Sequence, residues 1–124
     1  MKTTKLVTKI ERKTHQIDAT NQSVGRLASQ IANLLHGKNK VNFSPQIDNG
    51  DFVMVSNVDK LKFTGKKMEQ KLHYRHSHYP GGLKIKKTKE IFEKNPGDLI
   101  IKAVYKMLPK NKLRNSMIKR LTIK

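Results

Sequence analysis

Cysteine is absent from this sequence, so no disulfide framework and no thiolate metal site can form. Tryptophan is absent too, and four Phe and three Tyr supply all the aromatic bulk. Only 35% of the 124 residues are hydrophobic, which limits the single domain of residues 1–124 to a modest core. Acids are scarce: nine Asp and Glu stand against 27 Lys and Arg, a formal charge of +18. A chain this basic repels itself and points to a polyanionic partner. Membrane surfaces are anionic, but no apolar run approaches the length of a spanning helix. The opening MKTTKLVTKI interrupts its apolar residues with Thr and Lys and lacks the core of a signal peptide. A cytoplasmic protein is the expectation.

The charge is uneven. Residues 1–56 hold eight cations and four acids, whereas residues 57–124 hold nineteen cations and five acids. The first half should carry more of the core and the second more of the partner-facing surface. Within the second half, Thr64 to Leu83 (TGKKMEQKLHYRHSHYPGGL) organises the chain. It has one acid, Glu69, and three aliphatic residues, Met68, Leu72 and Leu83, which cannot make a wide apolar face. Instead it interleaves Lys66, Lys67, Lys71 and Arg75 with His73, Tyr74, His76, His78 and Tyr79. Cations neutralise phosphates and flat rings stack on unpaired bases, so the mixture suits nucleic acid. Tyr79-Pro80-Gly81-Gly82 reads as a turn, with Gly81 and Gly82 free to take positive φ and to let a partner's backbone approach. Lys84, Lys86, Lys87 and Lys89 follow directly and extend the phosphate-facing surface.

Residues 1–13 read as an N-terminal arm with Leu6, Val7 and Ile10 as anchors. Thr14 to Ala19 is strand-like. Val24, Leu27, Ala28, Ile31, Leu34 and Leu35 recur at helical spacing, with Ser23 as N-cap and Gly37 as C-cap. Asp51 to Ser56 is a nearly continuous apolar run, as in a strand covered on both faces. Strand, helix and strand predict a βαβ unit. Leu61-Lys62-Phe63 predicts a short strand, and Lys71 to His76 the edge of a hairpin. Thr88 to Asn95 predicts a helix stopped by Pro96. Asp98 is placed to cap a helix over Leu99 to Leu108, ended by Pro109. A last helix over Lys112 to Arg120 precedes a strand-like end, Leu121 to Ile123.

Other chemistry finds weaker support. Gly25-Arg26 at the helix start lacks the spacing of either phosphate-loop motif. Gly25 is instead expected to permit close helix–strand packing, with Arg26 pointing outward. The histidines have no carboxylate at metal-site spacing; His76 and His78 are expected on one side of a strand and His73 on the other. Asp48 and Asp51, around Asn49-Gly50, read as turn residues rather than a catalytic pair. Met54, Met68, Met107 and Met117 read as core filling. A DNA-compacting protein would need mostly cations, without the rings and glycines. A histidine-metal hydrolase would need carboxylate ligands.

Seven segments carry a family resemblance: IDAT at Ile17–Thr20, VGRLAS at Val24–Ser29, GK at Gly37-Lys38, GDFV at Gly50–Val53, TGKK at Thr64–Lys67, YRHS with YPGGL over Tyr74–Leu83, and KAVYKMLPKN at Lys102–Asn111. With these the sequence resembles the universal large-subunit ribosomal protein of the L-thirteen family, in its bacterial form. The resemblance implies an α/β fold, a three-layer α/β/α domain on a mostly parallel four-stranded sheet with basic loops. It implies binding to large-subunit ribosomal RNA, a role early in subunit assembly, neighbours of the L-three and L-twenty families, no cofactor and no enzymatic activity. The sequence departs from the pattern at Thr14-His15, where aromatics are usual, and at Leu113-Arg114-Asn115-Ser116. Candidate RNA contacts are Arg26, Lys38 and Lys40; Lys66, Lys67, Lys71, Tyr74, Arg75, His76, His78, Tyr79, Gly81 and Gly82; Lys84, Lys86 and Lys87; and Lys110, Lys112, Arg114, Lys119 and Arg120.

Overall fold

The computed structural model describes residues 10–124, so the expected arm lies outside the described residues up to position 9. Strand β1 (Thr14–Asp18) ends where the Asp18 carboxylate accepts from the Thr20 amide at 3.0 Å and the Thr20 hydroxyl at 2.6 Å. This local turn hands the chain to helix α1 (Val24–His36). The apolar spacing does its work there: Leu27, Ala28, Ile31, Ala32 and Leu35 are buried on one face. Ser23 sits at the N-cap with extended backbone but makes no side-chain cap bond. Gly37 closes the helix at φ 76°, and a Cβ there would stand 2.9 Å from the Asn49 carbonyl group. Gly25 does not serve close packing. It is exposed on the outer face and a Cβ would meet nothing within 4 Å.

Strand β2 (Phe52–Ser56) runs parallel to β1, from Thr14 opposite Phe52 to Asp18 opposite Ser56, completing the expected βαβ unit. It buries Val53 and Val55, while Phe52 on the other face is 45% exposed, so coverage is one-sided rather than complete. Strand β5 (Leu121–Ile123) pairs parallel on its far edge. Among the described residues the parallel sheet therefore has three strands, ordered β1-β2-β5, where four were expected. The reason lies before Leu61: a 3-10 turn over Val58–Lys60 consumes the chain, and Lys62 makes only one bridge, to Ser23.

Helix α2 (Lys67–Gln70) leads into β3 (Leu72–His76) and β4 (Leu83–Lys87), a two-stranded antiparallel hairpin separate from the main sheet. Helix α3 (Thr88–Lys94) precedes α4 (Pro96–Met107). Asn95, not Asp98, caps α4, accepting from the Gly97 amide at 3.2 Å. Pro96 opens that helix, because its missing N–H is no loss in a first turn. Helix α5 covers only Arg114–Ile118. The core joins α1, β2, α4 and α5 through Leu27, Ile31, Leu35, Val53, Val55, Ile100, Val104 and Met117, so both halves of the chain supply it. Met117 fills the core as expected; Met107 is 46% exposed and does not. Among the described residues, no helix is long and apolar enough to cross a membrane.

Asp48 and Asp51 are far more than turn residues. The Asp48 carboxylate accepts both terminal nitrogens of Arg120, at 2.5 and 2.6 Å. Arg120 also donates to the carbonyls of Leu35 at 2.7 Å and Asp51 at 3.3 Å. Asp51 receives Lys40 Nζ at 2.6 Å, His15 Nε2 at 2.8 Å and the Lys13 amide at 3.1 Å. His15, one of the two departures at the start of β1, thus has its own polar partner. Gly50 between the acids tolerates no side chain: a Cβ would lie 1.6 Å from the Leu35 carbonyl oxygen.

Two outcomes are expected. Arg120→Ala leaves Asp48 without its main counter-ion and should cost about 3–5 kcal/mol of stability in denaturant titrations; an effect below about 1 kcal/mol would refute the clasp. Burial alone would raise the Asp51 pKa, but bonds from Lys40, His15 and the Lys13 amide outweigh it and hold it at about 2. The stabilisation from that depressed value is present above the ordinary carboxylate pKa, 3.8, and is lost as pH falls towards 2. Thermal melts over that window should show a steep acid limb that Asp51→Asn flattens.

Candidate nucleic-acid interface

The hairpin register sorts the organising stretch into two faces. Leu72 stands opposite Lys87, Tyr74 opposite Ile85, and His76 opposite Leu83. On the other side, His73 stands opposite Lys86 and Arg75 opposite Lys84. Because side chains alternate along strands, one face carries mostly rings and aliphatic groups, with Lys87 at its base, and the other carries Arg75, Lys84 and Lys86 beside His73. Tyr74 is 63% exposed, and Leu83 and Ile85 are also exposed. The tip presents Tyr79, 74% exposed.

The turn is held from within. Ser77 donates its amide to the Gly82 carbonyl at 3.0 Å, and Gly82 donates to the Tyr79 carbonyl at 2.9 Å. Gly81 takes φ 71° in open space. Gly82 has a different need: a Cβ would fall 2.9 Å from the Tyr79 oxygen and strike the Ser77 side chain. The turn itself therefore already requires its small size. His78, at φ 65°, lies in the turn and not in the strand. Its amide donates to His76 Nδ1 at 2.9 Å, which still brings the two rings within 5.9 Å.

His73 is half-buried at the base of the hairpin. The Thr88 hydroxyl donates to the Lys71 carbonyl at 3.0 Å, so His73 Nε2 donates to Thr88 Oγ1, also at 3.0 Å. This chain of bonds fixes β3 to the start of α3. Burial, and then Lys102, Lys71 and Lys106, lower the His73 pKa from its ordinary value of 6.5. Those lysines belong to a groove of about 890 Å³ bounded by the start of α1, the segment from Lys62 to His73, and α4. Arg26, Lys62, Lys67, Lys71, Lys102 and Lys106 line it, and among the described residues no Asp or Glu does. Among the described residues, every ion pair ends on Asp48 or Asp51.

The expected RNA-facing residues divide accordingly. Lys38, Lys66, Lys67, Lys71, Lys84, Lys86, Lys87, Lys110, Lys112 and Lys119 are exposed, as are Arg26, Tyr74, Arg75, His76, His78, Tyr79 and Gly81. Arg120 is not available: it is 8% exposed and spent on Asp48. Lys40 is committed to Asp51, and half-buried Arg114 lies over the Tyr105 ring at 3.9 Å. Lys62, Lys102 and Lys106 were not among the expected residues. Lys102 and Lys106 are four apart on α4, a spacing that puts them on one stripe beside the groove. Among the described residues, no group of His, Asp or Glu is arranged to hold a metal ion.

An exposed, ring-bearing, cation-rich hairpin on a small α/β domain is the kind of surface that suits a polyanion with flat bases. Comparison with known proteins is more specific. Residues 12–123 match the family model described as Ribosomal protein L13. The chain is 50% identical over 117 residues to "Large ribosomal subunit protein uL13" of Desulfotalea psychrophila, covering 94% of this chain and 82% of that protein. It is 52% identical over 114 residues to the protein of the same name from Maridesulfovibrio salexigens, covering 92% and 80%. The match to that of Aquifex aeolicus is 50% over 114 residues, covering 92% and 79%. The chain belongs to the ribosomal protein L13 family, whose members are structural and not enzymatic.

His73 gives a direct check on the groove. In an NMR titration it should protonate below the ordinary histidine value, and Lys102→Gln should move it upward. The unfolded chain takes up that proton more readily, so the associated stability is present above about pH 6.5 and is lost as pH falls below it. An unshifted His73 titration would refute the crowding of these cations.

Proposed function

We propose that this chain is a structural constituent of the large ribosomal subunit, binding large-subunit ribosomal RNA and acting early in subunit assembly in the cytoplasm. The three-layer α/β/α stacking implied by the family would serve as its rigid frame. The L-three and L-twenty families are its proposed protein neighbours. The observation that carries this reading is the two-faced hairpin. Its rings and cations are exposed together, and no acid among the described residues pairs with them. Phosphates can meet the Arg75–Lys84–Lys86 side while unpaired bases stack on Tyr74 or Tyr79. Family membership supports the same reading.

Gradient sedimentation should find nearly all cellular copies with large subunits and their precursors; a mainly free or nucleoid-bound pool would overturn the proposal. Binding to the ribosomal RNA should fall with salt at a log–log slope of roughly 4 or more in magnitude. Tyr79→Ala should weaken that binding by about 1–3 kcal/mol if a base stacks on the ring, and Gly81→Val should weaken it by straining the turn. Neither touches the core, so both should fold, and both should lose to wild type in incorporation into large subunits. Equal incorporation would remove the hairpin from the interface.

A further inference from the structure

Six cations converge on the groove from four separate stretches of the chain: Arg26 from α1, Lys62 from the bridge segment, Lys67 and Lys71 from around α2, and Lys102 and Lys106 from α4. Unfavourable repulsion among them goes uncompensated, since no acid among the described residues lines the groove. The His73 pKa, lowered first by burial and then by Lys102, Lys71 and Lys106, is consistent with that crowding at a group lining the groove. Folding has thus brought together like charges that would separate if left to themselves, and their natural complement is a string of anions.

The groove also has direction. His73 lines it, and on the hairpin His73 shares a face with Arg75, Lys84 and Lys86. The cations of the groove therefore continue onto the cationic face of the hairpin as one track. Its concavity selects among polyanions: an A-form duplex is a thick rod that meets protein across its surface, whereas a single strand can settle into a groove with its phosphates against the walls. Amide and hydroxyl side chains of Ser23, Gln30 and Thr64 supply neutral hydrogen-bonding groups beside the charges.

We propose that this groove holds an unpaired RNA strand by its phosphates, and that the strand runs on over the cationic face of the hairpin. The inference rests on the RNA-binding role above and adds to it a second surface and the structural class of RNA that occupies it.

The test uses the full chain and fluorescence anisotropy with a labelled short oligouridylate. A double variant, Lys102→Gln with Lys106→Gln, removes two exposed groove charges. A control, Lys60→Gln with Lys94→Gln, removes two charges outside the groove. Unfolding midpoints verify that both remain folded. The groove variant should bind the oligouridylate about tenfold more weakly at fixed salt, with the salt slope reduced by about 1.4, or about 0.7 for each phosphate no longer neutralised. The control should change binding by less than about twofold. Chemical-shift changes on adding the oligouridylate should cluster at Arg26, His73 and Lys102. Equal weakening in both double variants would overturn the proposal, as the response would be to total charge. So would competition by a fully paired RNA hairpin, by uridine monophosphate or by polyglutamate as effective as that by the oligouridylate. Failure of this inference is separable from failure of the broader role. If wild type binds large-subunit RNA and Tyr79→Ala weakens it, while the groove variant is unchanged, only the groove assignment falls.

Discussion

The fold depends on one buried charge clasp. Arg120 stands immediately before β5, while Asp48 and Asp51 stand in the approach to β2. Their contact joins the end of the chain to the loop between α1 and β2. Arg120 also caps the end of α1 by donating to the Leu35 carbonyl. Through Lys40, His15 and the Lys13 amide, the same acids hold that loop and the entry to β1. Removing one partner of such a buried pair costs about 3–5 kcal/mol, as much as emptying a buried leucine site at about 2–5 kcal/mol. Against a total stability of about 5–15 kcal/mol, neither loss is easily absorbed.

The clasp also shapes the outer surface. With nine acids available, the chain places its ion pairs, among the described residues, on the two that tie the fold together. The other cations are left to the surface, above all along the hairpin and the groove. Charge repulsion there opposes folding, and the compact core must outweigh it. A polyanion that neutralises this surface would stabilise the folded chain by binding it in preference to the unfolded one. The stability of the fold and the cationic character of its surface are in this sense two results of one distribution of nine acids.

Much of the local structure was legible. Helix α1 followed from its apolar period and from Gly37, and the first strand and turn of the hairpin from Lys71 to His76 and the Tyr79–Gly82 run, whereas the return strand Leu83–Lys87 read only as a run of lysines. Where the structure departs from expectation, the causes are local. Asn95 and Asp98 are both good caps, and the choice fell to Asn95 because Pro96 fits a first helical turn. Leu61-Lys62-Phe63 alternates like a strand, but the 3-10 turn before it leaves room for one bridge. Gly25 resembles a packing glycine, yet it lies on the outward side of its helix.

The sequence by itself determined the basic character, the βαβ opening, the ring-and-cation stretch and the family likeness, because each is written in adjacent or periodically spaced residues. Only the tertiary structure decided which cations remain for a partner. Arg120 and Lys119 are neighbours of the same charge, and nothing local separates them. A carboxylate 72 positions away draws Arg120 inside and leaves Lys119 exposed. The groove arose in the same way. Arg26 and Lys106 are far apart along the chain and become neighbours only because the apolar faces of α1 and α4 pack together, carrying their outward charges with them.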